Sequence, residues 1–164
     1  MTLHVTYSIE RIYDFQWTHQ IQAEICRTID QAKNYPGVRF LGVLSAEDYR
    51  KELKEAELYV FPCDPGVSGE TFSIGCMEAC ACFTPILGSG DVSIDEIYGH
   101  VAHILAGPIY DGPWIEYTSR LLADPDRLRH FVTPARQLAE RFTWEKIASQ
   151  WQSLIQRLVA QKVA

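Results

Sequence analysis

The stretch from residue 58 to residue 78 reads Leu58-Tyr59-Val60-Phe61-Pro62-Cys63-Asp64-Pro65-Gly66-Val67-Ser68-Gly69-Glu70-Thr71-Phe72-Ser73-Ile74-Gly75-Cys76-Met77-Glu78. Its first four residues form an apolar run typical of a buried strand, and the Pro- and Gly-rich segment that follows ends regular structure. Helical spacing starts near Thr71, so a helix is predicted from there to about Cys82. The stretch therefore predicts a strand, a loop and a helix in that order.

Two carboxylates, Glu70 and Glu78, stand at the start of the predicted helix and inside it. If Glu70 opens the helix, Glu78 lies about 12 Å further along the axis and roughly 80° around it, a separation that spans a nucleotide diphosphate. The first amides of the helix would face the loop, where a helix N-terminus favours phosphate; they belong to Thr71, Phe72, Ser73 and Ile74. The alternative is structural, because a Glu at a helix start interacts with the dipole and a Glu inside a helix is usually solvated.

Strands and helices alternate on both sides of this stretch. Apolar runs predict further strands at residues 3–7, 38–41, 85–87 and 101–105. Helices are predicted over residues 14–33, after the capping signature at Ser45, after the N-cap pair Asp124-Pro125 and after Thr143. Such alternation implies βαβ units, so the predicted fold is α/β, a doubly wound parallel sheet with C-terminal helices. In such sheets ligands bind beyond the carboxyl ends of the strands, where residues 62–69 lie.

Size and charge exclude several classes of protein. With 164 residues the chain fits one domain. Its formal charge of −6 comes without a basic run, so neither a nucleic-acid footprint nor a polybasic membrane patch is predicted. No apolar run is long enough for a transmembrane segment, and the first residues lack the pattern of a signal peptide. The expected location is cytoplasmic, which also suits an odd number of cysteines, five.

Three cysteines close in sequence raise the hypothesis of a metal site. Cys76 and Cys80 share a helix face, but Cys82 points elsewhere and no CxxC pair is present. Small buried side chains are the preferred interpretation, and no metal is predicted. The five histidines form no ligand spacing and are interpreted as structural.

From Val38 to Trp151 the order of motifs resembles the donor-binding, C-terminal half of GT-B glycosyltransferases, in particular the retaining enzymes of glycosyltransferase family 4. The landmarks are Val38-Arg39-Phe40-Leu41-Gly42, Ser45-Ala46-Glu47-Asp48-Tyr49, Ala56-Glu57-Leu58-Tyr59-Val60-Phe61-Pro62, Glu70-Thr71-Phe72-Ser73-Ile74, Glu78-Ala79-Cys80-Ala81, Thr84-Pro85-Ile86, Glu96-Ile97 and Arg141-Phe142-Thr143-Trp144. The resemblance rests on their order and spacing together, since each is weak alone.

The resemblance implies a role for each residue of the central stretch. Glu70 would lie against the donor sugar as the candidate catalytic residue, and Glu78 would hold the ribose hydroxyls. The diphosphate would be bound at the loop and helix start by Gly69, Thr71, Phe72, Ser73 and Ile74. The implied reaction retains the anomeric configuration and requires no metal and no cofactor, because the nucleotide-diphosphate sugar is a co-substrate.

Departures from the family pattern qualify this expectation. Phe83 stands where the family usually has Gly, and residues 92–95 replace a common Gly pair. The basic residues that clamp the diphosphate in the family, and its acceptor-binding half, precede the region that this chain matches. Residues 1–164 are therefore expected to form a single donor-binding domain that lacks the acceptor half and the first strand.

Three functions stay open at this point. The first is the donor half of a retaining glycosyltransferase whose acceptor-binding half is on a partner chain or in a part of the protein outside this sequence. The second is a nucleotide or nucleotide-sugar binding module without catalysis, and the third is a scaffold whose apolar surface binds a partner. An open sheet edge and apolar surface also favour homodimers or aggregation. The base, the sugar and the acceptor are not encoded in any motif of the sequence.

Overall fold

The structure, a computed structural model, describes residues 2–6, 19–62, 71–90, 92–106 and 112–163. Its internal contacts divide the chain into two compact units, Met1–Tyr49 and Arg50–Ala164. The glutamate and glycine at positions 70 and 69 lie outside the described residues, as do residues 14–18 of the first predicted helix.

The first unit contains two parallel strands and a helix. Strand β1 (Leu3–Val5) pairs with β2 (Val38–Phe40), and helix α1 (His19–Lys33) connects them and contacts β2. Helix α2 (Ala46–Glu55) begins at the end of this unit with the predicted cap. The Ser45 hydroxyl accepts the Asp48 amide at 3.1 Å and donates to the Asp48 carboxylate at 2.6 Å.

The second unit is built on three parallel strands in the order β3-β4-β5. They are β3 (Tyr59–Phe61), β4 (Ile86–Ser89) and β5 (His103–Leu105), connected by helices α3 (Ile74–Ala81) and α4 (Val92–Tyr98). The remaining helices are α5 (Gly112–Leu122), α6 (Pro125–Arg129), α7 (Val132–Ala139) and α8 (Trp144–Val163).

The centre of this unit is β4, in which all four residues are buried. A Cβ on Gly88 of β4 would lie 3.3 Å from Ile94 of α4 and 3.4 Å from Ile104 of β5, so these elements pack closely around the glycine. Helix α3 packs against α7, where the Arg136 guanidinium donates to the Ala81 carbonyl at 2.6 Å. The connecting helices α3 and α4 are thus held by the strand between them.

The α/β class, the parallel pairing and the C-terminal helices are confirmed. Asp124 caps α6 as predicted, its carboxylate accepting the Arg127 amide at 3.0 Å. The predicted start of α3 is wrong, because the helix begins at Ile74 and not near Thr71. Ser73 lies in the left-handed region with φ of 52°, which a continuous right-handed helix cannot include. Among the described residues the strands form a two-stranded and a three-stranded sheet.

The cysteines of α3 belong to the core. Cys76 and Cys80 are buried, and burial is the main reason that the pKa of Cys80 rises to about 12. Such a thiol stays protonated at neutral pH and is a poor metal ligand. The described ranges contain no group of three His, Cys, Asp or Glu residues that could hold a metal ion. Of the helices in these ranges, none combines the length and the apolar character needed to cross a bilayer.

Candidate functional site

The candidate site lies where β3 ends and α3 begins. Strand β3 ends at Phe61, and the described chain resumes at Thr71, two residues before the cap of α3. This is the edge at which the carboxyl ends of parallel strands meet, the usual ligand-binding edge of such sheets.

Ser73 closes the first turn of α3. Its hydroxyl accepts the Cys76 amide at 3.3 Å and its carbonyl accepts the Met77 amide at 3.2 Å. The amides of Ile74 and Gly75 precede these, and the first turn of a helix offers them no carbonyl. The helix end that can face a ligand is therefore formed by Ile74 and Gly75, whereas Thr71 and Phe72 belong to the bend before it.

The backbone at this point also has the form of an anion-binding nest. Ser73 has φ of 52° and ψ of 87°, and the residues after it are in the right-handed helix. A left-handed and a right-handed residue in succession turn neighbouring N–H groups toward one side, which makes a concave site for an anion. The assignment of Ser73 and Ile74 to a diphosphate stays a prediction, but its geometric basis changes from a helical turn to a nest.

Tyr98 is a residue that the sequence did not single out. Its side chain is 0% exposed, and its hydroxyl lies 2.7 Å from the Phe72 carbonyl oxygen and 2.9 Å from that of Ser73. The signal was present, since a tyrosine among the core positions of a short helix needs a partner for its hydroxyl. The identity of that partner follows only from the tertiary fold.

Glu78 lies one turn into α3 and is half-buried. It follows Ile74 by four residues, so the two share a helix face and are separated by about 6 Å along the axis. The separation of about 12 Å predicted between Glu70 and Glu78 assumed a helix starting at residue 70, and it stays a prediction because Glu70 lies outside the described residues.

Cationic groups gather at the other end of α3. Burial raises the pKa of the Cys82 thiol, the Glu78 carboxylate raises it further, and Lys54, Arg50 and Arg136 act in the opposite direction. The sequence assigned no basic residue to the site. The structure places Arg50, Lys54 and Arg136 near Cys82, at the end of α3 opposite Ser73.

Known structures share this fold. The sucrose-phosphate synthase from Thermosynechococcus elongatus matches 98% of this chain with a TM-score of 0.71 and 23% identity. The Anabaena HepE protein in complex with UDP-glucose matches 86% with a TM-score of 0.69 and 17% identity. The fold is that of GT-B glycosyltransferases.

The chain belongs to the family of Glycosyl transferases group 1, whose model matches residues 18–124. A D-inositol 3-phosphate glycosyltransferase from Gordonia bronchialis is 36% identical over 78 residues, 46% of this chain. This chain covers 17% of that relative and 38% of each of the two solved structures. The family resemblance read from the motifs is therefore confirmed, for a chain that spans less than half of these relatives.

Proposed function

We propose that this chain binds the nucleotide-sugar donor of a retaining, metal-independent glycosyltransferase at the start of α3. The observation that carries the proposal is the capped turn at Ser73, a nest of amides at the carboxyl edge of a parallel sheet. The family supports a glycosyl donor, and the HepE structure with UDP-glucose supports a nucleotide sugar. The location proposed for this activity is the cytoplasm.

The diphosphate is the part of the donor that this turn suits. Negative charge builds on the leaving diphosphate as the glycosidic bond breaks, and fixed N–H groups stabilise that charge in the transition state. The amides of Ser73, Ile74 and Gly75 supply such groups without a metal ion. Helix α3 adds the partial positive charge of its N-terminus.

Glu78 and Glu70 bind the ribose and the sugar of the donor, respectively. Glu78 accepts hydrogen bonds from two neighbouring ribose hydroxyls, for which a carboxylate is suited. Glu70 positions the sugar at the reacting carbon. Transfer also needs an acceptor-binding half, contributed by a partner chain or by a longer form of this protein, and the donor domain alone transfers sugar poorly.

Nucleotide binding provides the test. The parent chain, Glu78→Gln, Glu70→Gln and the exposed control Glu57→Gln are titrated with UDP, GDP and ADP, and the unfolding temperature is followed. We expect one nucleotide to stabilise the parent, because ligand binding to the folded state raises apparent stability by mass action. The stabilisation should disappear in Glu78→Gln and persist in Glu57→Gln and Glu70→Gln, since the proposed contact of Glu70 is with the sugar.

Two results would contradict the proposal. Absence of any shift with all three nucleotides at millimolar concentration would leave only a scaffold function. An unchanged shift in Glu78→Gln would remove the ribose contact. If transfer is restored by an acceptor-binding domain, the catalytic function is preferred over a binding module, and Glu70→Gln should then lower turnover more than affinity.

A further inference from the structure

The hydroxyl of Tyr98 shares its single proton between two consecutive carbonyls at the start of α3. It reaches the Phe72 and Ser73 oxygens at 2.7 and 2.9 Å, and the ring is fully buried. Tyr98 belongs to α4, a different βα unit, so the contact joins α4 to the beginning of α3 across 25 residues of sequence.

The two carbonyls decide where the following amides point. A peptide bond is planar and trans, so its C=O and N–H groups point in opposite directions. Since the Phe72 and Ser73 carbonyls are directed to Tyr98, the amides of Ser73 and Ile74 are directed away from it. These two amides are the ones that form the nest.

We propose that Tyr98 is a positioning residue for the phosphate site: its hydroxyl fixes both peptide planes so that the Ser73 and Ile74 amides converge on the diphosphate. This inference rests on the proposed function. Tyr98 touches no reacting atom, and its effect reaches the ligand through the backbone. A phenylalanine would fill the same volume and leave the two planes without their common donor.

The left-handed conformation of Ser73 makes such a restraint necessary. Non-glycine residues adopt this region at a cost, and they stay in it where the surrounding structure imposes it. The Ser73 carbonyl also accepts the Met77 amide at 3.2 Å, so the α3 turn itself secures that group. The Phe72 carbonyl accepts the shorter of the two bonds from Tyr98, at 2.7 Å, so the peptide that carries the Ser73 amide is the one we expect to loosen more.

The test compares Tyr98→Phe with the parent and with Tyr117→Phe. Tyr117 is a matched control, because its hydroxyl accepts a bond from Arg127 on a different surface of the second unit. Affinities for UDP and UMP, or the diphosphate and monophosphate of whichever base the parent binds, are measured by calorimetry. Amide hydrogen exchange at residues 73–75 is measured without ligand.

We expect Tyr98→Phe to weaken diphosphate binding about fivefold or more and monophosphate binding much less, in line with the loss of one hydrogen bond. Exchange of the Ser73 amide should become faster and that of the Ile74 amide should change less, and Tyr117→Phe should change neither the affinities nor the exchange. 4-Aminophenylalanine at position 98 keeps a donor and should restore part of the selectivity. A merely structural role would lower the unfolding temperature and leave the ratio of the two affinities unchanged.

The remaining outcomes distinguish a failure of the Tyr98 role from a failure of the proposed function. If the parent binds nucleotide and Tyr98→Phe keeps its affinity ratio, the positioning role is refuted and the proposed function stands. If the parent binds no nucleotide, both are refuted. Should Tyr98→Phe fail to fold, Gly88→Ala replaces it, because its Cβ would press on Ile94 and displace α4 slightly. The same selective loss, smaller in size, is expected there, and equal weakening of both ligands would overturn the inference.

Discussion

Phe83 occupies a backbone conformation that bulky side chains rarely adopt. Its φ is 63°, its side chain is 57% exposed, and the Arg136 guanidinium lies 5.3 Å from the centre of its ring. The left-handed conformation destabilises an L-residue by about 1–2 kcal/mol, whereas an exposed cation–π contact stabilises the folded state by only about 0.5–1 kcal/mol.

Substitution of Phe83 should separate the conformational cost from the contact. Phe83→Gly and Phe83→Val both remove the ring from Arg136, but only glycine adopts a positive φ without strain. We expect Phe83→Gly to be more stable than Phe83→Val by about 1 kcal/mol, after allowing for the greater freedom of glycine in the unfolded chain. Chemical denaturation measures the difference. Equal stabilities would mean that the backbone at this position relaxes and stores no strain.

At the scale of elements, His103 joins the sheet to the helices that follow it. The residue is buried on β5, its Nε2 lies 3.4 Å from the Leu128 carbonyl of α6, and its ring packs edge-on against Phe131 at 5.0 Å. The neutral ring with Nε2 protonated donates to this carbonyl. Burial lowers the pKa of His103, since a charged ring would lose its hydration there.

The lowered pKa predicts a loss of stability in mild acid. A histidine in the unfolded chain titrates near pH 6.5. Below that pH the unfolded state binds a proton at His103, whereas the folded state does not yet bind it. The free energy of unfolding should therefore fall as the pH drops below about 6.5, until the folded pKa is reached. His103→Gln, which keeps a donor for Leu128, should show a smaller decrease between about pH 7 and pH 5. The exposed control His100→Gln should keep the parent slope, and a parent-like slope in His103→Gln would contradict the prediction.

The elements themselves were largely predictable, because they depend on local periodicity and caps. Strands of a parallel sheet are short apolar runs, and Ser45 and Asp124 cap helices through contacts three residues away. The start of α3 was not predictable in the same way. Ser73 adopts the left-handed backbone conformation, and its carbonyl accepts a hydrogen bond from the hydroxyl of Tyr98, which is distant in sequence. Local propensity does not register such a contact, so the predicted helix began three residues too early.

For the candidate site as well, the segment was predictable from the sequence and its geometry was not. The family motifs predicted which segment carries the candidate site, and the assignment of Ser73, Ile74 and Glu78 to the donor stays a prediction. Their geometry depended on where the helix begins, which places the amides of Ser73 and Ile74 in a nest. The role of Tyr98 required the folded arrangement of α3 and α4, because the sequence contains no pattern that pairs the two.

At the scale of the whole molecule, α8 presents an apolar stripe to solvent. Trp144, Trp151 and Leu158 are 86%, 60% and 53% exposed, and the described side chains of this helix include none that is buried. The helical period places them on one face together with Leu154, Ile155 and Val159. Their exposed area is on the order of 700 Å², larger than the usual apolar patch of a monomer and similar to one side of a standard interface.

An apolar stripe of this size should cause the isolated chain to self-associate. We expect dimers or larger species by light scattering at tens of micromolar, because burying the stripe against a second copy removes it from water. Leu158→Glu places a charge within the stripe and should shift the chain toward the monomer. Gln156→Glu adds the same charge on the opposite face of α8 and should leave association unchanged. A monomeric parent would show that the stripe alone does not drive association, and equal effects of the two variants would attribute it to net charge.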